Sequence, residues 1–248
     1  MNFQKLEYMN QSKHMDTVLT NMESKVEPLT SIRECHHFIY NESEMKKFFD
    51  LIGPGTHQVF ISVRPKYTKT KVKNNSISIK SFTDYTFEKF LDLIKRYEIP
   101  VGCYKEDDKV LPNDCMVIYC TTNARNPKTA VRKLMNECLT AAFDGDEYVF
   151  THMNQKINSA IMASKEKTLL TTIDIDSKDE YPEVKEFLEE NKIVPAAVVE
   201  TRGGYHVLLH TNSSLELVYK KFAKKHTMGD TFCPIPGTLQ GGFPVRFV

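Results

Sequence analysis

The hydrophobic positions of this chain change repeatedly between the spacing of a helix and the alternation of a strand. Helical spacing predicts helices at Glu44–Ile52, Thr86–Tyr97, Lys128–Ala142 and Pro182–Asn191, and from Ser214 to about Lys225. Strand patterns occur at Gln58–Val63, Ser76–Ser81, Ile99–Cys103, Cys115–Thr121, Thr168–Asp176, Ala196–Glu200, Tyr205–Thr211 and Pro244–Val248. Because helices alternate with strands and two strand pairs have the spacing of hairpins, we expect an α+β fold. Its sheet is predicted to be mixed, largely antiparallel and backed by helices.

One predicted helix, Lys128–Ala142, has an apolar face. Pro127 suits the first position of the helix Lys128–Ala142, because its missing N–H would have no partner there. Helical spacing places four apolar side chains on one side, which we predict to be the buried face: Val131, Leu134, Met135 and Leu139.

The chain divides into three regions by pattern. Residues 1–35 are polar and weakly patterned, so we expect a partly disordered lead-in. Residues 36–110 are predicted to form an N-terminal α/β subregion with a basic hairpin, and residues 111–248 contain the other motifs. At 248 residues the chain is long enough to bury a sizeable core, and we expect the last two regions to form one unit.

Composition narrows the class of protein but does not identify it. The chain is 41% hydrophobic and 26% charged with a net charge of +1, so any nucleic-acid binding must come from a local basic patch. No apolar run is long enough to span a membrane, and the N-terminus lacks a signal-peptide pattern. Six cysteines without a Cys-x-x-Cys pair indicate reduced thiols, so we expect an intracellular, cytoplasmic protein. Cys35-His36-His37 has no second ligand pair at zinc spacing, and no zinc is expected.

The run Thr168–Asp176 ends in two carboxylates, Asp174 and Asp176. Residues two apart on a strand point to the same face, so these two like charges are predicted to lie side by side. A divalent cation such as Mg²⁺ or Mn²⁺ would offset that repulsion. The alternative is an ordinary strand end that meets solvent.

A basic run separates the first two predicted strands. Its cations could hold a phosphate backbone at the tip of a hairpin, or could simply keep a loop soluble. They are Arg64, Lys66, Lys69, Lys71 and Lys73, with Tyr67 among them.

A second informative stretch is Glu200–Val207, in which two glycines precede Tyr205 and His206. The glycines allow a tight turn or a close backbone approach to a ligand. Arg202 and His206 are suited to phosphate oxygens, because a guanidinium and an imidazole both donate hydrogen bonds. The alternative is a hydrogen-bonded core histidine beside a hairpin turn.

A third acid, Asp230, precedes an apolar stretch and the turn Pro236–Thr238. Such an acid can also be an ordinary turn residue. Arg246 is a lone cation in the last predicted strand and should therefore find a partner.

The order of these motifs resembles that of the archaeo-eukaryotic primase superfamily, the primase-polymerase group. Ile173-Asp174-Ile175-Asp176 is similar to its acidic first motif, Gly204-Tyr205-His206 to its second, and Asp230 is our candidate for its third acid. The likeness covers about Leu169 to Val248. It implies an RRM-like catalytic core within residues 111–248.

The resemblance also implies roles for individual residues. Asp174, Asp176 and Asp230 would be catalytic and hold two divalent ions. The nucleotide would be bound by Arg202, Gly204, His206 and Arg246. Single-stranded DNA as template, NTP or dNTP as substrates, and a helicase or another replication protein as partner would follow, with no membrane involved.

Two departures keep other functions open. Many members have serine where this chain has Gly204, and the chain stops soon after Arg246. We therefore expect a bare catalytic core, a truncated chain or a subunit that relies on partners. The alternatives are a non-catalytic primase fold that binds nucleotides or single strands, and a different Asp-x-Asp enzyme that transfers a sugar from a sugar nucleotide.

Overall fold

Two antiparallel sheets, which meet at a shared apolar core, determine where the conspicuous acids and bases lie. The structure is a computed structural model that describes residues 34–69, 71–73, 76–82, 86–106, 108–211 and 214–248. The predicted lead-in of residues 1–35 falls almost entirely outside the described residues. Cys35–Val248 forms one compact unit.

The helices are α1 Glu42–Ile52, α2 Phe87–Lys95, α3 Pro127–Asp144, α4 Tyr148–Thr151, α5 Met153–Met162, α6 Tyr181–Glu190 and α7 Leu215–Phe222. Polar side chains fix where the longer ones begin, because Asn41, Thr86 and Asn126 each accept hydrogen bonds from backbone N–H groups of the first turn. Pro127 opens α3, and Gly145 ends it in the left-handed conformation. Among the described helices, none has both the length and the apolar character needed to cross a membrane.

The first sheet has the strand order β10-β5-β1-β2, and each of its strand pairs is antiparallel. Its strands are β1 His57–Val63, β2 Ser76–Phe82, β5 Met116–Thr121 and β10 Phe232–Pro234. The pairing of β1 with β2 confirms the predicted hairpin. Because β1 also pairs with β5, the two predicted regions on either side of residue 110 share one sheet.

The second sheet has the order β13-β7-β8-β6-β9 and is also antiparallel in each pair. Its strands are β6 Leu170–Ile175, β7 Ala197–Glu200, β8 Tyr205–His210, β9 Thr227–Gly229 and β13 Arg246–Phe247. Small two-stranded sheets are formed by β3 Lys105–Glu106 with β4 Lys109–Val110, and by β11 Leu239–Gln240 with β12 Phe243–Pro244. In the chain, β6, α6, β7, β8, α7 and β9 follow one another as strand, helix, strand, strand, helix, strand.

The two faces of the second sheet pack into different cores. Ile173 and Val207 belong to one face, which packs against α6 and α7. Leu170 and Leu208 lie on the other face, in the core shared with the first sheet and with α1 and α2. Side chains alternate along a strand, so Asp174 lies on the Leu170 face. This face turns toward the first sheet.

Most predicted elements are confirmed within a few residues, and the α+β class is correct. The described strand pairs are all antiparallel, so no mixed sheet is found among them. The predicted strand at Ile99–Cys103 is wrong, since this segment is a turn with one isolated bridge at Pro100. The predicted strand at Pro244–Val248 is interrupted at Val245 and divides between β12 and β13.

The predicted buried face of α3 is also wrong. Val131, Met135 and Leu139 are each more than half exposed, and the buried residues of α3 are Ala130 and Ala141. The helix packs through these small residues, which allow a close approach, so three of the four predicted inward side chains remain exposed and Leu134 is half-buried.

Gly204 is required by the contact between the end of β6 and the start of β8. A Cβ built on Gly204 would lie 1.8 Å from the carbonyl oxygen of Ile175, which is closer than any side chain can approach. A serine at this position therefore does not fit this backbone. A Cβ at the neighbouring Gly203 would instead meet the ends of two flexible side chains, Tyr67 and Lys66, at 3.0 and 3.4 Å.

We predict that Gly204→Ala destabilises the fold by roughly 1–3 kcal/mol, the usual cost of overpacking a site that cannot relax. Gly203→Ala is the matched control and should cost less, because side-chain ends move more easily than a strand backbone. Urea unfolding of both variants measures the difference. Equal unfolding midpoints for the two variants would contradict the close approach of β6 to Gly204.

Candidate functional site

Asp174 and His206 are direct cross-strand neighbours on β6 and β8. His206 Nε2 lies 3.3 Å from Asp174 Oδ1. Asp176 follows β6 directly, and its side chain is 81% exposed. The strand register therefore brings the partly exposed carboxylate of Asp174, the largely exposed carboxylate of Asp176 and the buried imidazole of His206 to the same end of β6.

These residues line a cleft of about 180 Å³ between the two sheets. From the second sheet it receives the end of β6 and the turn between β7 and β8. From the first sheet it receives the segment after β1 and one side chain of β5. The lining residues are Arg64, Lys66, Tyr67, Tyr119, Asp174, Ile175, Asp176, Thr201, Gly203, Gly204, His206 and Gln240.

Two cations of the basic run lie in this cleft. Lys66 Nζ is 3.4 Å from Asp176 Oδ1, and both side chains are largely exposed. Arg64 donates from Nε and Nη2 to the hydroxyl of Tyr119, at 2.8 and 2.6 Å. Burial raises the pKa of Tyr119 to about 12, so the phenol stays neutral and leaves the charge of Arg64 uncompensated by it.

His206 is a buried neutral base beside two acids. Burial lowers its pKa, and the nearby Asp174 carboxylate opposes this shift, while Arg64 adds to it. Its Nδ1 has no hydrogen-bond partner among the residues the structure describes. The imidazole thus contacts Asp174 on one side and has an unused polar atom on the other.

Arg202 does not line the cleft, but its side chain connects several protein segments next to it. Its Nη1 donates to the carbonyl oxygens of Asp114 and Gly241, at 3.1 and 2.9 Å, and its guanidinium lies over the ring of Tyr67 at 4.7 Å. Its backbone N–H donates to the side chain of Gln240 at 2.7 Å. In this arrangement Arg202 is engaged by protein groups, whereas the resemblance implied a phosphate contact.

Asp230 is separated from the other two acids. Its carboxylate pairs with the buried Arg125, with 2.5 Å between Oδ2 and Nη1, and accepts from Asn123 Nδ2 at 2.8 Å. Asn123 also donates to the carbonyl oxygen of Leu170, at the beginning of β6. The register of β9 on β6 places Gly229 opposite Thr172, so Asp230 lies beside the start of β6, and it does not line the cleft that contains Asp174 and Asp176. The physical reason is that the buried guanidinium of Arg125 needs a countercharge, which Asp230 supplies.

Arg246 also has a protein partner. It pairs with Glu200, the residue opposite it in the sheet, at 2.8 Å from both Nε and Nη2. Lys178 reaches the other oxygen of Glu200 at 2.5 Å. Burial alone would raise the pKa of Glu200, but the two cations lower it overall. Arg246 is not among the described residues that line the cleft.

The remaining lysines of the basic run lie elsewhere. Lys71 and Lys73 line a separate shallow cleft with Glu106 and Lys109, and the backbone N–H of Lys73 donates to Glu106. Lys69 is exposed. None of the three lines the cleft at Asp174 in the described part of the chain.

Several site residues were not predicted from the sequence. Tyr119 lies within a buried strand, where nothing distinguishes it from a core residue, and Gln240 follows the predicted turn without a pattern of its own. Tyr67 had a signal, since it is an aromatic residue inside a basic run. Arg125 gave no signal of its pairing with Asp230, because the two are 105 positions apart.

The donor set of the cleft fits one divalent cation better than two. No three histidine, cysteine, aspartate or glutamate side chains in the described ranges form a cluster that would hold a metal by themselves. Mg²⁺, however, commonly binds through one or two carboxylates together with substrate phosphates and water. Asp174 and Asp176 can supply that pair of carboxylates.

Comparisons with models of protein families, with curated proteins and with solved structures gave no significant match.

We predict opposite pKa changes of His206 in two single variants. Asp174→Asn should lower the pKa further, because the carboxylate favours the imidazolium, and Arg64→Gln should raise it. Histidine-selective NMR titration measures both.

Because the folded-state pKa of His206 is depressed, the unfolded chain binds the proton more readily. His206 should therefore reduce stability as the pH falls below about 6.5, the ordinary histidine value. For the titration itself, a His206 pKa that is higher in Asp174→Asn than in wild type would contradict the observed contact between Asp174 and His206.

Proposed function

We propose that this chain is a nucleotidyl transferase of the primase type, which joins nucleotides on a single-stranded nucleic-acid template. The observation that carries the proposal is the cross-strand pair Asp174–His206, which shares one cleft with Asp176 and with two cations. Carboxylates beside two cations suit a substrate that brings both a metal ion and phosphate groups.

The topology of the second sheet supports an RRM-like core. Its strand-helix-strand-strand-helix-strand sequence and the order β7-β8-β6-β9 belong to the split β-α-β class of folds. Both helices pack on one face through Val184, Phe222 and their neighbours. The opposite face is thereby available at its edge for Asp174 and His206. Such a fold hosts many functions, so the proposal depends on the site and not on the topology.

Asp174 and Asp176 would hold a divalent cation, Mg²⁺ or Mn²⁺. When bound, the ion would lower the pKa of an attacking hydroxyl and stabilise the charge on the leaving pyrophosphate. Phosphate oxygens of the nucleotide would complete its coordination. With Asp230 paired to Arg125, the chain offers two carboxylates for this purpose, and a second ion would need ligands from the substrate.

Arg64 and Lys66 are suited to the phosphates of the incoming nucleotide. In the cleft they take the role that the resemblance gave to Arg202 and Arg246, which are bound to protein groups. Arg64 is held in place by Tyr119, so little side-chain entropy would be lost when it binds an anion. His206 contacts Asp174 and would orient this carboxylate. Phosphoryl transfer of this kind needs positioning and positive charge rather than a protein nucleophile.

The proposal extends to partners. Lys69, Lys71 and Lys73 are candidates for a contact with the single-stranded template, because cations that follow a groove bind a phosphate backbone without regard to sequence. NTP or dNTP would be the substrate, a helicase or another replication protein a partner, and the cytoplasm the place of action.

A second function is favoured by one specific observation. The ion pair between Asp230 and Arg125 removes the third acid from the cleft. A primase fold with an incomplete acidic set could bind nucleotides or single strands without extending them. Binding without turnover would distinguish this non-catalytic protein from the transferase.

We predict that the wild-type chain extends a single-stranded template with labelled NTP or dNTP in Mg²⁺ or Mn²⁺, with or without a primer. Asp174→Asn should reduce product to background, since it removes half of the carboxylate pair. Arg64→Gln should slow extension by about 10²–10³, the usual effect of deleting one charge-stabilising donor. Lys185→Gln, on the exposed surface of α6, removes a cation outside the cleft and should leave the rate unchanged.

Full activity in a folded Asp174→Asn variant would overturn the proposal. Absence of product from wild type, together with metal-dependent nucleotide binding that Asp174→Asn abolishes, would instead establish the non-catalytic binding protein. Circular dichroism and an unfolding curve for each variant separate loss of the site from loss of the fold.

A further inference from the structure

Four large apolar side chains form an exposed row along α3. They occur every fourth residue, so successive members are neighbours on the helix surface and the row turns through about 120° around α3. Their exposed fractions are 55% for Val131, 59% for Met135, 57% for Leu139 and 89% for Phe143. We call these four residues the α3 stripe. It extends about 18 Å along the helix axis, at 1.5 Å per residue.

Another side of α3 packs against the protein itself. Lys133 donates to the carbonyl oxygen of Ala163, and Glu137 pairs with Lys156 of α5. These contacts lie on a different side of the helix from the stripe. Large contiguous apolar patches are uncommon on monomeric proteins and mark interaction surfaces. The α3 stripe is therefore a candidate interface rather than a leftover of the core.

The charges at the two ends of α3 indicate which partner fits. The exposed side chains Lys128 and Arg132 lie near its N-terminal end, and Asp144 and Asp146 lie at its C-terminal end. Lys128 in the first turn and Asp144 in the last turn each have the sign opposite to the one that the helix dipole favours at that end. None of Lys128, Arg132 and Asp144 forms an ion pair within the described ranges. Contacts within the single chain therefore do not explain this arrangement of charges at the ends of α3.

We propose that the α3 stripe binds the same stripe of a second copy of this chain, with the two helices antiparallel. A two-fold axis midway between Met135 and Leu139 places Met135 of one copy opposite Leu139 of the other. The same register places Val131 opposite Phe143, and it brings the basic end of each helix to the acidic end of its partner. The surface is thus complementary to itself in both apolar contact and charge, as a two-fold interface requires.

The antiparallel arrangement also explains the unfavourable charge placement. Lys128 and Arg132 would be close to the negative end of the partner's helix dipole and to its acids. Asp144 and Asp146 would be close to the positive end. A parallel arrangement would instead bring like charges together. The inference is independent of the proposed transferase activity, because no residue of the α3 stripe lines the cleft.

The experiment is sedimentation velocity with the full chain over a range of concentrations. Wild type should show a concentration-dependent species with twice the 28.6 kDa chain mass. Leu139→Glu and Met135→Glu should each weaken dimerisation at least about tenfold, the change that ~1.4 kcal/mol produces. Val194→Glu is the control, since Val194 is an exposed apolar residue outside α3, and it should leave the dimer intact.

Charge reversal tests the orientation of the helices. Lys128→Glu with Arg132→Glu should weaken the dimer, and so should Asp144→Lys with Asp146→Lys. All four changes in one chain should restore it, because the antiparallel pairs are then re-formed with inverted signs. Far-UV circular dichroism of each variant verifies that α3 is still folded.

Two results would overturn the proposal. One is a wild-type monomer at every concentration, which would mean that something other than a second copy covers the α3 stripe. The other is a dimer that withstands both glutamate substitutions. A dimer that is lost on those substitutions but is not restored in the fourfold variant would reject the antiparallel orientation.

Discussion

The candidate site depends on the close pairing of β6 with β8. This pairing places Asp174 beside His206, and it is possible because Gly204 carries no side chain toward Ile175. It also concentrates negative charge next to a base that burial keeps neutral. The second sheet therefore does not by itself neutralise the negative charge of Asp174 and Asp176 at the end of β6. The balance comes from the first sheet, whose Arg64 and Lys66 complete the cleft.

Three ion pairs, each with at least one largely buried side chain, determine which charged residues are free to act. Asp230 neutralises Arg125, and Glu200 binds both Arg246 and Lys178. Removing one partner of the buried Arg125–Asp230 pair would leave an uncompensated charge, which costs several kcal/mol, so these two residues are held in a structural role. The groups in the cleft, by contrast, have weak or partial partners. The proposed function therefore uses the charged groups of the cleft, which have no strong partner within the protein.

The sequence predicted what depends on neighbouring residues. Alternation predicted most of the strands and both hairpins, and the glycines marked the tight turn before β8. It could not predict contacts between distant positions, such as the pairing of Asp230 with Arg125 or the recruitment of Arg64. Helical spacing indicated an apolar side of α3, but the prediction that this side is buried was wrong, because spacing alone does not tell whether such a side faces the core.

The most direct test of the central claim is a crystal structure with Mn²⁺ and a non-hydrolysable nucleoside triphosphate, read by anomalous scattering. The account predicts a Mn²⁺ peak within about 2–2.5 Å of the carboxylates of Asp174 and Asp176, the range of hard-cation–oxygen bonds. It also predicts that the phosphates lie against Arg64 and Lys66. Nucleotide bound at another surface, with no metal at these two carboxylates, would contradict it.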